Sequence, residues 1–90
     1  MRFDSQVAQL FVNVTGQVPS RTFNNKNPRN ETRTVKMVVN HASEKALDNL
    51  RQEYSKIYGE RFIRIRNMRA VVKQKFNLYS YNKIVVCFKD

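Results

Sequence analysis

Apolar and polar residues alternate along five stretches of the chain, and in one further stretch the period lengthens to that of a helix. Residues 7–14, VAQLFVNV, put Ala8, Leu10, Val12 and Val14 on one face and Val7, Gln9, Phe11 and Asn13 on the other, which predicts a strand ended by Thr15-Gly16. Residues 34–40, TVKMVVN, predict a second strand, with Val35, Met37 and Val39 inward and Lys36 outward, forming a hairpin with the first. In residues 43–58, Ala46, Leu47, Leu50, Tyr54, Ile57 and Tyr58 recur at helical spacing. Ser43 stands at the N-cap of this helix, Glu44 in its first turn and Gly59 just past its end. Residues 61–66 predict a third strand, Asn67-Met68 a break, and residues 69–76 a fourth strand. Residues 78–82 turn the chain into a fifth strand, 83–88, with Ile84, Val86 and Phe88 inward and Val85 and Cys87 outward beside Lys83 and Lys89. The predicted order is β-β-α-β-β-β, an α+β fold with one helix on one face of a mainly antiparallel sheet.

Residues 16–33, GQVPSRTFNNKNPRNETR, read differently. Gly16, Pro19, Pro28 and a run of asparagines are loop chemistry. The chain of 90 residues is thus expected to be a single domain, 1–90, carrying a long, basic, Asn-rich loop at 16–33.

Charge sharpens this picture. Seventeen Lys and Arg against seven Asp and Glu give a net charge of +10, which favours a polyanionic partner. The excess is uneven: residues 61–90 hold eight basic residues and only Asp90 as an acid, whereas residues 1–60 hold nine basic and six acidic. The stretch RFIRIRNMRA (61–70) is the densest part. Strand alternation places Ile63 and Ile65 on one face, and Phe62, Arg64 and Arg66 on the other. If the next strand lies in the same sheet, Lys73 and Lys75 join them on its solvent side, with Arg69 close by. Cations beside an aromatic ring suit phosphates and a stacked base. The loop adds Arg21, Lys26, Arg29 and Arg33 as a flexible basic arm.

Catalytic chemistry finds little footing. His41 is the only histidine and Cys87 the only cysteine, so neither an intrachain disulfide nor a structural zinc site within the chain is expected. No phosphate-cradling glycine motif occurs among two glycines. Glu44, Asp48 and Glu53 read as a solvated helix face. No signal segment or membrane span is visible, which fits a cytoplasmic protein. The expectation is a non-catalytic binder without cofactor, metal or small-molecule substrate. Its partner is a nucleic acid (DNA or RNA), a nucleoprotein complex or an acidic protein surface.

The succession TVKMVV, HASEKALDNL, YG and RFIRIR resembles small phage proteins that bind and disable host machinery, among them inhibitors of bacterial RNA polymerase and some anti-CRISPR proteins. This resemblance implies a non-enzymatic modulator of a nucleic-acid-handling complex in the host cytoplasm. The order strand, long loop, strand, helix and basic strand is also similar to archaeal-type ribosomal proteins of the LX group, which implies an RNA-binding structural role.

Overall fold

The first apolar cluster folds as a helix, α1 (Phe3–Thr15), rather than as the strand its alternation predicts. The structure, a computed structural model, describes residues 2–90. Phe3 lies upstream of the alternating run, and it extends the pattern to Phe3, Val7, Leu10, Phe11 and Val14, one stripe at helical spacing. Val7 and Phe11 are fully buried. Gly16 ends the helix in the left-handed region (φ 75°), its N–H donating to the Val12 carbonyl at 2.8 Å.

The Asn-rich segment is likewise ordered in pairing. Arg21–Asn27 forms β1, which pairs antiparallel with β2 (Thr32–Val39). Only 28–31 remain as the turn between them, where the Arg29 N–H donates to Asn27 Oδ1 at 3.1 Å. Asparagine disfavours strands, but a partner strand with unpaired backbone groups overrides that preference. The second helix, α2 (Glu44–Tyr58), follows expectation: Ser43 Oγ accepts from the Ala46 N–H at 3.1 Å, and the Gly59 N–H caps the Ser55 carbonyl. A single 3-10 turn, Gly59–Arg61, leads into β3 (Phe62–Lys73), which pairs with β4 (Leu78–Lys89). No break occurs at Asn67-Met68. Asn67 stays in the strand, and its side-chain amide donates to the Ala42 carbonyl at 3.3 Å.

The fold is α+β with an antiparallel sheet, as expected, but the element order is α-β-β-α-β-β with two helices. Strand order is β1-β2-β4-β3, so β4 lies inside the sheet and β3 at its edge. Both helices cover one face, with α1 against β1 and β2 and α2 against β3. Between them lie Val35, Met37 and Val39 of β2, Ile84, Val86 and Phe88 of β4, and Ile65 of β3.

Strand β3 reaches this core through an irregularity. Phe62 pairs with Phe88 and Arg64 with Cys87, so Ile63 is an extra residue without a partner, the signature of a β-bulge. The bulge shifts the alternation by one position, and Phe62 and Ile65, three residues apart, both turn toward the helices. The Phe62 ring stacks on Tyr54 at 5.8 Å between centroids and meets Phe88 edge-on at 6.0 Å. Ile63 is turned out, 44% exposed.

Tyr54 is fully buried at the centre of this aromatic group, and its hydroxyl donates to the Val7 carbonyl at 2.7 Å, joining α2 to α1. In Tyr54→Phe the ring remains and the Val7 carbonyl keeps its helical partner, so the expected loss is that of one net hydrogen bond, about 1 kcal/mol at neutral pH. The shift of the urea midpoint at unchanged slope measures it. Burial, reinforced by Tyr58, pushes the Tyr54 phenol well above its ordinary value of 10.0. The unfolded chain therefore releases this proton at lower pH than the folded one, and the stabilisation is present below pH 10 and declines as pH rises further. The advantage of the wild type over Tyr54→Phe should shrink above about pH 10. A constant difference from neutral to strongly alkaline pH contradicts the assignment.

Candidate nucleic-acid interface

Because both helices lie on one face, the opposite face of the sheet has no covering layer. The pairing register and strand alternation identify its side chains. One row across the sheet is Phe23–Lys36–Val85–Arg66. A second is Arg21–Val38–Lys83–Met68, and a third is Asn25–Thr34–Cys87–Arg64. Beyond them, Lys89 stands at one end of β4, and Tyr81 and Tyr79 stand at the other, opposite Ala70 and Val72 of β3. The open face thus carries Arg21, Lys36, Arg64, Arg66, Lys83 and Lys89, and no Asp or Glu. Val85, between Lys36 and Arg66 in the row, is only 7% exposed although no helix covers this face.

Of the residues expected at a binding surface, Arg64, Arg66 and Arg21 are brought together here. Phe62 is not: the bulge places its ring in the aromatic core. Lys73 and Arg69 are on the other side of β3, because the strand runs unbroken and its alternation never changes phase at Asn67-Met68. Arg69 Nη2 donates to Ser80 Oγ at 3.0 Å. Lys75 is at the tip of the β3–β4 ribbon, with its ammonium 5.7 Å from the Phe76 ring centre. Arg29 lies in the β1–β2 turn. The remaining members, Lys26, expected in a flexible arm, and Arg33, pair with each other across β1 and β2 and turn toward the helix side of the sheet. Lys83 and Lys89 were legible as outward residues of the last strand, as was Lys36 of the second. Tyr79 and Tyr81 continue the Lys83 alternation upstream, in a segment whose composition reads as a turn.

Acids are sequestered elsewhere. Asp48 and Glu53 pair with Arg51 and Lys56 on α2, and Asp4 pairs with Arg2 at the start of α1. Asp90 binds Lys26 at 2.9 Å and Arg33 at 3.3 Å. Arg33 also lies over the Phe3 ring, 5.3 Å from its centre, with Arg61 5.2 Å from it. Two of the expected arm cations are therefore already engaged within the protein. None of the six open-face cations takes part in an ion pair among the described residues.

Also among the described residues, no group of three or more His, Cys, Asp or Glu side chains could hold a metal ion, and no helix is long and apolar enough to cross a membrane. Comparison with protein-family models, with curated proteins and with solved structures gives no match.

The Asp90 clamp is testable through its titration. The hydrogen bond from Lys26, with the charge of Arg33, holds the carboxyl below its ordinary value of 3.8. A depressed carboxylate stabilises the fold above its ordinary value and ceases to do so as pH falls through the folded one. Asp90→Asn should melt below the wild type at neutral pH, and the two melting temperatures should converge below about pH 3.8. Equal melting temperatures at neutral pH would show that the clamp contributes nothing.

Proposed function

We propose that the open sheet face binds the phosphate backbone of a nucleic acid, free or within a nucleoprotein complex, and that the protein acts as a non-catalytic binder. The observation that carries this reading is the uniform sign of the face: six unpaired cations and no acid on one uncovered surface. A face that serves solubility alone mixes signs, as α2 does with Glu44, Lys45, Asp48, Arg51, Glu53 and Lys56. Cations spread over all four strands match a line of phosphates, to which they bring affinity and orientation rather than base specificity. A modulator of host nucleic-acid machinery and a structural RNA binder would both use such a face.

The double substitution Arg64→Ala/Arg66→Ala should weaken binding to a labelled oligonucleotide. It should also reduce the slope of log affinity against log salt by about 1–2 units, since each neutralised phosphate contributes roughly 0.7–0.9. Lys45→Ala/Lys56→Ala on α2, a control with the same loss of charge, should leave the slope unchanged. If the two variants behave alike, net charge rather than the face drives binding. A partner captured from lysate that survives nuclease treatment would point instead to an acidic protein surface.

A further inference from the structure

The open face is not uniformly charged. Toward the tip of the β3–β4 ribbon its cations give way to aromatic rings. Phe23, 43% exposed, and Tyr79, 48% exposed, line a groove of about 360 Å³ whose floor includes Val38 and Val72 and whose rim includes Arg21. A neighbouring groove of about 280 Å³ shares Phe23, Val38 and Tyr81 and is flanked by Lys36 and Lys83. The Arg21 guanidinium is 5.4 Å from the centre of the Phe23 ring.

We propose that these grooves take unpaired bases, so that the ligand of the open face is single-stranded nucleic acid. This deepens the phosphate-binding reading and rests on it. Half-exposed rings over an apolar floor offer a stacking surface to a flat heterocycle. Arg21, Lys36 and Lys83 stand at the rim, where the phosphates attached to that base would run. A duplex keeps its bases stacked within the helix and presents no free base face to Phe23 or Tyr79. Stacking on aromatic side chains contributes about 1–3 kcal/mol per base and tolerates any sequence, which suits a face without a base-reading pattern.

The test uses the full chain and two labelled probes of about 12 nucleotides, an oligo-dT strand and an abasic strand of the same length and charge. By fluorescence anisotropy the oligo-dT should bind at least about fivefold more tightly, the effect of a single stacked base. Tyr79→Ala/Tyr81→Ala, which leaves Phe23 as the one ring of the two grooves, should lower the oligo-dT affinity toward the abasic level while leaving the salt slope intact. Tyr79→Phe/Tyr81→Phe, which keeps the rings, should retain the preference. The chain contains no tryptophan, so its intrinsic fluorescence comes from tyrosine, and oligo-dT but not the abasic strand should quench it. This measurement needs no substitution. Equal affinity for both strands without quenching overturns the base site while leaving the phosphate reading in place. Binding of neither strand overturns both.

Discussion

The chain has apolar side chains enough to cover one face of its sheet, and both helices are spent on that face. Strand β3 is where this constraint is hardest to meet. It enters the sheet at the edge, one 3-10 turn after α2, and has to supply core anchors from a stretch with four arginines, RFIRIRNMRA. Regular alternation would send Phe62 outward with Arg64 and Arg66. The bulge at Ile63 inserts one residue, so Phe62 joins Tyr54 and Phe88 while Ile65 remains buried and Arg64 and Arg66 keep the open side. Without the extra residue the aromatic group that joins β3 to α2 would lose a ring, and the cationic face would gain an apolar one.

One-sided coverage also gives the net charge a direction. The carboxylates lie on α2, at the start of α1, in turns and at Asp90, where several neutralise nearby cations. The bare face keeps its cations unopposed. Strand order reinforces the effect, because β4 is interior and its outward Lys83 stands in the row that also holds Arg21 of β1. Cations far apart in sequence thus become one surface, and the aromatic residues of β1 and β4 adjoin it.

Much of this was legible in sequence, and the failures have physical causes. The α2 helix, its Ser43 cap and its Gly59 end follow from local rules, as does the inward set Val35, Met37, Val39, Ile84, Val86 and Phe88. Residues 7–14 read as a strand and fold as a helix, since a short apolar run satisfies both periods and three valines favour a strand. Phe3 and Gly16, at its two ends, are what resolve it as a helix. The Asn-rich segment and residues 78–82 resemble turns in composition, yet each lies beside a strand whose backbone groups need partners. Asn67 imitates a break until its amide finds the Ala42 carbonyl.

The sequence by itself determined the class of fold, the periodicity of α2, the inner faces of β2 and β4, and the excess of positive charge in the last third of the chain. These depend on local period and composition, which are properties of neighbouring residues. Only the tertiary structure decided which cations share a surface. That choice depends on strand order, on the phase set by a single bulged residue, and on the ion pairs that withdraw Lys26 and Arg33. All three are long-range pairings between segments distant in the chain, and no local pattern encodes them.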